Sequence, residues 1–152
     1  MSMQDSNTPV AVLLTQVATP ESLAAVCALY KIKATVIPSP IGAYAVAQDP
    51  SDPSFDFMAA NITKTVHEAP AIAIKNADGQ MKAAQWEAGE KIGALSPVIV
   101  LDGSPHELED ILLGVVDPAS VDGAIRTEKI SKFKAMRMLA ANAKAYNAKA
   151  AK

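Results

Sequence analysis

The stretch from Val10 to Gln48 constrains the fold of this chain more than any other. It opens with five consecutive apolar residues, Val10 to Leu14, and lacks the alternation of a strand that has one face in water. A continuous apolar run of this length is typical of a strand that is covered on both faces or lies centrally in its sheet. The sequence therefore predicts an interior strand near the start of the folded part.

Cap and turn signals divide the rest of this stretch into a helix and a hairpin. Thr19 and Pro20 are preferred residues for the cap and the first position of a helix. Two apolar strands follow, at residues 34 to 37 and 43 to 47, and the prolines and glycine of Pro38 to Gly42 predict a turn between them. The simplest pairing of these two strands is an antiparallel hairpin.

A second helix and a further strand complete an ordered set of elements. The helix starts at about Phe55 and stops near His67, and the strand covers residues 71 to 74. Residues 10 to 75 thus follow the order β-α-β-β-α-β of the split βαβ or ferredoxin-like motif. We predict an α+β domain with a mostly antiparallel five-stranded sheet in ferredoxin-like order and helices on one face. The alternative is a doubly wound α/β sheet, which requires parallel neighbours and helices on both faces.

Three more elements are predicted between this motif and the C-terminal tail. Residues 80 to 92 have ordinary helix propensity and carry Trp86, which is expected to be half exposed or to pack on the tail. Residues 97 to 101 are apolar and predict the fifth strand. A capping box from Ser104 to Glu107 predicts the start of another helix. The apolar face of that helix comprises Leu108, Ile111, Leu112 and Val115.

The C-terminal tail differs in charge from the rest of the chain. Residues 126 to 152 contain eight basic side chains and one acidic side chain, whereas the preceding residues contain six basic and fifteen acidic ones. We therefore divide the chain into a flexible N-terminus at 1 to 9, an α+β domain at 10 to 116 and a basic helical extension at 117 to 152.

The extension is expected to be helical from Thr127 to about Tyr146 and to form an interaction surface. We predict that it packs on its own acidic body or on a second subunit, which favours a homo-oligomer or a protein partner. The acidic body and the scarcity of aromatic residues in the tail disfavour nucleic acid as a partner. The residues assigned to this surface are Trp86, Phe133, Met136, Leu139, Lys134 and Arg137.

The loop from Asp102 to His106 is the best candidate for ligand chemistry. It joins a predicted strand to a helix N-terminus, where open α/β sheets bind ligands. His106 and Asp110 share one helix face and are spaced for metal coordination or proton exchange, with Ser39 or Tyr44 across the cleft. A turn, a helix cap and an exposed histidine explain the same residues structurally. The candidate ligand-binding residues are Asp102, Ser104, His106, Asp110 and Ser39.

Several classes of function are disfavoured by what the sequence lacks. No apolar run approaches the roughly 20 residues that span a bilayer. Motifs for phosphate binding, dinucleotide binding and zinc proteolysis are absent, and the two histidines stand 39 positions apart. We therefore predict no membrane segment, no cofactor and no metal. Cys27 is the single cysteine and is expected to be a buried core residue, which favours a cytoplasmic location.

The leading hypothesis on function is a non-catalytic binding or regulatory module that acts through oligomerisation or protein contacts. The alternative is a small-molecule-binding domain or a small enzyme that uses the loop from Asp102 to His106. A concave pocket between this loop and the turn from Pro38 to Gly42 favours the alternative. A flat apolar sheet face or an exposed apolar stripe on a helix favours the interaction module.

Overall fold

A computed structural model describes residues 9 to 66 and 70 to 140. The strands are β1 (Val10–Leu14), β2 (Ala34–Ile37), β3 (Tyr44–Ala47), β4 (Ala71–Ala77), β5 (Gln80–Glu87), β6 (Glu90–Leu95) and β7 (Ile125–Arg126). The helices are α1 (Pro20–Leu29), α2 (Asp52–Thr65), α3 (Pro97–Asp102), α4 (His106–Leu112) and α5, whose described part covers residues 132 to 140. Short 3₁₀ turns occupy Pro118–Ser120 and Thr127–Lys129.

A single seven-stranded sheet organises these elements. Its order is β6-β5-β4-β1-β3-β2-β7, and neighbouring strands are antiparallel throughout. The fold is therefore mixed α+β, as predicted, but the sheet has seven strands instead of five. The predicted hairpin is confirmed, because β2 pairs with β3 from Ala34 opposite Ala47 to Ile37 opposite Tyr44.

β1 lies at the centre of this sheet and is buried on both faces. Its two edges pair with β3 and β4. Ala11 and Leu13 belong to a core on one face, here called the first core, and Val12 and Leu14 belong to a second core on the other face. The interior position predicted from the continuous apolar run is confirmed.

Helices cover both faces of the sheet, which corrects the prediction that they lie on one face. α1 and α2 contribute Leu23, Met58 and Ile62 to the first core. On the opposite face, α4 contributes its apolar side to the second core. The physical reason is the composition of β1, because a strand that is apolar on both faces needs a packed layer on each of them.

The predicted helix at residues 80 to 92 is wrong, because this segment forms the strands β5 and β6. Asp78 and Gly79 both have positive φ, and so do Ala88 and Gly89, so each pair makes a two-residue hairpin turn. The Asp-Gly turn pairs the following residues with β4, and this pairing overrides their weak helix propensity. Trp86 consequently lies on a strand and is buried in the first core instead of being half exposed.

The predicted strand at residues 97 to 101 is also wrong, because these residues form α3. A short apolar run does not distinguish a strand from a helix by its pattern alone. Ser96 and Pro97 repeat the arrangement of cap and proline that begins α1, and Gly103 follows the last residue of the helix. Val100 and Leu101 pack partly on the second core, whereas Val98 and Ile99 point into solvent.

α4 begins one residue later than the capping box predicts. Pro105 occupies the N-cap position and makes no side-chain cap, while the Ser104 hydroxyl donates to the carbonyl oxygen of Val100 at 2.7 Å. The prediction of a buried face is confirmed for Leu108, Ile111 and Leu112. It is wrong for Val115, which lies beyond the end of the helix and is 73% exposed.

The segment after residue 116 returns to the sheet before it becomes helical. β7 pairs with β2, and the buried Thr127 side chain accepts from the amide of Ala34 at 2.9 Å and donates to the carbonyl of Ile32 at 2.7 Å. A 3₁₀ turn therefore replaces the helix expected at Thr127. The predicted helix beyond residue 140, the N-terminal residues 1 to 8 and His67 lie outside the described residues. The division into domains at residue 116 stays a prediction.

The Thr127 hydroxyl is expected to be a main attachment of the C-terminal segment. Thr127→Val keeps the shape of the side chain but leaves a buried amide and a buried carbonyl without partners, so we expect a loss of about 2 kcal/mol in the free energy of unfolding. The matched change Thr35→Val, on a neighbouring strand, should stay within about 0.5 kcal/mol. Urea unfolding followed by Trp86 fluorescence measures both variants, and equal effects would contradict the role of Thr127.

Candidate functional site

A groove of about 760 Å³ lies beside α3, on the face of the sheet that carries the second core. It is here called the α3 groove. It lies where the ends of several strands meet the turn at Ile41 and the loop after α3. This volume is within the range of ligand-binding pockets. The groove is lined by Leu14, Thr15, Gln16, Ile41, Pro70, Ile72, Gln85, Leu95, Ser96, Ile99, Val100, Gly103 and Ser104.

The turn from Pro38 to Gly42 places Ile41 at the rim of the groove. The Ser39 hydroxyl donates to the carbonyl of Gly42 at 2.7 Å and accepts from the amide of Ile41 at 3.2 Å. Gly42 has φ of +125°, and a Cβ there would overlap the carbonyl oxygen of Thr15. Only glycine fits this close approach without strain, so the backbone itself fixes the position of the turn.

Thr15 secures the same turn from the side of β1. Its hydroxyl donates to the carbonyl of Ala43 at 2.7 Å and accepts from the amide of Val17 at 3.2 Å. The amide of Ala43 in turn donates to the carbonyl of Val17 at 2.8 Å. The wall of the α3 groove formed by this turn is therefore held by backbone and hydroxyl hydrogen bonds.

α3 forms the opposite wall and exposes apolar residues to solvent. Ile99 lines the groove and is 74% exposed, and its neighbour Val98 is 76% exposed without lining it. None of the six residues of α3 is buried. Helices of soluble domains usually direct large apolar side chains towards a core. This helix therefore presents an exposed apolar surface at the mouth of a groove, an arrangement that marks binding sites.

The described lining of the α3 groove carries no charged side chain; His67 and Glu68, which precede Pro70, lie outside the described residues. The polar side chains of this described lining are two amides and three hydroxyls, none of which titrates in the physiological range. The hydroxyls of Thr15 and Ser104 already bond to backbone carbonyls, and Nε2 of Gln85 donates to Oε1 of Glu87 at 3.2 Å. The groups best able to meet a ligand are therefore the side chains of Gln16 and Ser96 and the amide oxygen of Gln85. Such a lining favours a neutral, mostly apolar molecule, because an ion would lose hydration without gaining a counter-charge.

The five predicted ligand-binding residues do not form one site. Ser104 lines the α3 groove, whereas the Ser39 hydroxyl is engaged within its own turn. Asp102, His106 and Asp110 are exposed, and none of them lines the groove. Asp102 is the last residue of α3, so the loop after it follows a helix instead of a strand and the predicted analogy with the strand ends of an open α/β sheet does not hold.

Tyr44 connects the sheet to α4 and takes no part in the groove. Its hydroxyl donates to Oε1 of Glu107 at 3.2 Å. Burial first, and then the neighbouring Glu107 carboxylate, raise the pKa of Tyr44 far above its ordinary value. The phenol therefore stays protonated at neutral pH and acts as a hydrogen-bond donor that holds the first turn of α4 against β3.

The predicted interaction-surface residues separate into buried and exposed groups. Trp86 is buried in the first core, and Leu139 is partly buried against α1. Phe133 and Met136 are exposed on α5, and the guanidinium of Arg137 lies 5.9 Å from the centre of the Phe133 ring. Lys134 is exposed on the same helix. The exposed group is analysed further below.

A second groove, of about 540 Å³, lies between α2 and strands β4 to β6, on the face of the sheet that carries the first core. Lys75, Lys82 and Lys91 line it together with Asp52 and Asp56. Nζ of Lys75 is 2.8 Å from Oδ1 of Asp52, and this hydrogen bond is the largest cause that lowers the pKa of the Asp52 carboxyl. Because acids and lysines alternate here, this groove lacks the single sign of charge that would select an ionic ligand.

The single thiol is inert. Cys27 is fully buried in the first core, as predicted, and burial raises its pKa to about 12. A thiol in this environment is protonated at neutral pH and lacks the access that a nucleophile requires. Among residues 9 to 66 and 70 to 140, no three His, Cys, Asp or Glu side chains are placed to hold a metal ion.

Comparisons of this chain with protein-family models, with curated proteins and with solved structures found no match. In the described part of the chain, no helix has both the length and the apolar character needed to cross a membrane.

Apart from Ser104, the residues that build the α3 groove are not among those predicted from the sequence. Ile41, Leu95 and Ile99 come from three separate segments, and their convergence depends on the pairing of β5 and β6 and on the direction of α3. One local signal was available, since Ser96 followed by Pro97 indicates a helix start. Recognising that helix would have placed Ile99 on a helix that follows an edge strand.

Gly42 is expected to be essential for this wall of the groove. Gly42→Ala forces a Cβ against the carbonyl of Thr15 at positive φ, so we expect a loss of about 3 kcal/mol in the free energy of unfolding. Gly79→Ala is the matched control, because Gly79 also has positive φ but faces open space, and it should cost about 1 kcal/mol. Thermal or urea unfolding of both variants checks this difference, and equal losses would refute it.

Proposed function

We propose that this protein is a non-catalytic binding module whose α3 groove holds a neutral, mostly apolar small molecule. The observation that carries the proposal is the concave groove of about 760 Å³ that joins Ile41 to Ser104. A concave pocket between the turn that carries Ile41 and the loop that carries Ser104 is the feature that distinguishes a ligand-binding domain from a purely protein-binding one.

The composition of the groove defines the class of ligand. Its apolar side chains offer a surface for hydrocarbon or aromatic groups, and the amides of Gln16 and Gln85 offer hydrogen bonds to one or two polar atoms. A ligand with a formal charge would find no counter-ion among the described lining residues. The exposed side chains of Ile41 and Ile99 stand at opposite walls, so a bound molecule would bury apolar surface that the free protein exposes to water.

The proposal of a non-catalytic role rests on the same lining. General acid–base chemistry needs a titratable side chain within hydrogen-bond reach of the ligand, and the lining residues that the structure describes provide none. His106 and Asp110 belong to the exposed side of α4, away from the groove. A role for the loop from Asp102 to His106 in an enzyme therefore has less support than a role in binding.

Contacts between proteins are a second candidate function. The specific observation in its favour is the exposed pair Phe133 and Met136 on α5, at positions i and i+3. This pair and the lining of the α3 groove share no residue, so the two functions are compatible.

We also propose a ferredoxin-like arrangement for the central strands and a cytoplasmic location. The first is supported by the order β4-β1-β3-β2, by the antiparallel pairings and by the packing of α1 and α2 on one face. β5 and β6 then extend the motif at one edge and β7 extends it at the other.

The proposed cytoplasmic location is supported by the single buried thiol of Cys27, which has no partner for an internal disulfide.

A neutral fluorescent probe, N-phenyl-1-naphthylamine, tests the groove directly. We expect saturable binding at one site per chain, with amide NMR shifts centred on Thr15, Gln85 and Ser96. Ile99→Asp places a charge on the lining and should weaken binding about tenfold or more. Val98→Asp is the matched control, because Val98 is equally exposed on the same helix but does not line the groove, and it should bind like the wild type.

Two results would overturn the proposal. One is the absence of saturable probe binding to the folded wild-type protein. The other is an equal loss of binding in Ile99→Asp and Val98→Asp, which would mean that the probe adheres to the exposed helix instead of entering the groove.

A further inference from the structure

The outer face of α5 is apolar and basic and has no cover among the described residues. Ala135, Met138 and Leu139 turn inwards onto α1. Phe133 and Met136 turn outwards with exposures of 71% and 56%, flanked by the exposed Lys132 and Arg137. We call these four outward residues, Lys132, Phe133, Met136 and Arg137, the basic face.

A face of complementary composition lies on α4. Glu109, Asp110 and Leu113 are exposed there, and the amide of Val115 donates to the carbonyl of Asp110 at 2.9 Å, which folds the exposed Val115 back against the helix end. We call Glu109, Asp110, Leu113 and Val115 the acidic face. The chain segment that carries this face is acidic as a whole, because between Lys91 and Arg126 it has no lysine or arginine and has four acidic residues besides Glu109 and Asp110.

The two faces of one chain cannot meet. α5 packs on α1, which covers the first core, whereas α4 covers the second core. The seven-stranded sheet therefore separates the basic face from the acidic face. Contact between them requires a second molecule.

We infer that the basic face of one copy docks on the acidic face of the next, so that copies of this chain associate head to tail. Charge complementarity selects this partner, since Lys132 and Arg137 meet Glu109 and Asp110 while two apolar side chains on each side exclude water. The interface is heterologous, so association continues beyond a dimer unless the copies close into a ring. The inference goes beyond the α3 groove and does not depend on a ligand there.

Two charge-reversal variants test the direction of association in sedimentation velocity at low salt. Lys132→Glu with Arg137→Glu reverses the basic face, and Glu109→Lys with Asp110→Lys reverses the acidic face. Each variant alone should remain monomeric at concentrations where the wild type associates. An equimolar mixture should associate again, because the intact acidic face of the first variant meets the intact basic face of the second.

A control of equal charge change separates a specific contact from net charge. Lys33→Glu with Lys64→Glu alters two exposed lysines outside both faces, and this variant should associate like the wild type. At about 1 M salt, where the Debye length is about 3 Å, association of the wild type should weaken strongly.

The apolar part of the contact has its own matched pair of variants. Phe133→Ser should weaken association about tenfold, since it removes a central aromatic side chain. Phe57→Ser removes an exposed phenylalanine from α2 and should have no effect on association. Both residues are exposed, so neither change should unfold the protein, and circular dichroism verifies this.

Three outcomes would overturn the inference. The first is a wild type that stays monomeric at all concentrations at low salt. The second is a charge-reversal variant that, on its own, associates as well as the wild type. The third is a mixture of the two variants that stays monomeric although each is folded.

Discussion

Burial of β1 on both faces is the constraint on which the rest of the structure depends. Ala11 and Leu13 require a helical layer on one side, and Val12 and Leu14 require another on the opposite side. α1 and α2 provide the first layer. The second is provided by α4, which explains why the chain continues past the central strands to cover the face that they leave apolar. Both candidate surfaces follow from this need for two layers, because the α3 groove and the acidic face belong to the second layer.

The sequence predicts the first half of the fold well because its signals are local and agree with one another. The cap at Thr19, the proline after it and the restrained turn at Pro38 to Gly42 all act over a few residues, and the structure confirms the elements that they delimit. Prediction fails between residues 80 and 101, where pairing across the sheet forms β5 and β6 and a short apolar run forms α3, whereas the predicted buried face of α4 is confirmed for three residues. Trp86 lies on a strand because the preceding Asp-Gly turn brings its segment alongside β4.

Most residues of the candidate site could not be predicted from the sequence, for a related reason. The α3 groove combines the end of β1, the turn at Ile41, the strands β5 and β6, and α3. The sequence predicts a helix for most of β5 and β6 and a strand for α3. Phe133 and Met136 differ from the groove residues, since the sequence assigns both to an interaction surface and the structure leaves both exposed on α5. Ala135 faces α1 because its small side chain allows close packing against Ala25 and Ala28, and this turns the larger residues outwards.

The most direct test of this account is residue-resolved amide hydrogen exchange on the full chain. The account predicts the slowest exchange in β1, whose amides are bonded within a sheet that is packed on both faces, and far faster exchange in α3, which has no buried residue. Protection of α3 equal to that of β1 would contradict the account. It would mean that α3 belongs to a closed core and that no open groove lies beside it.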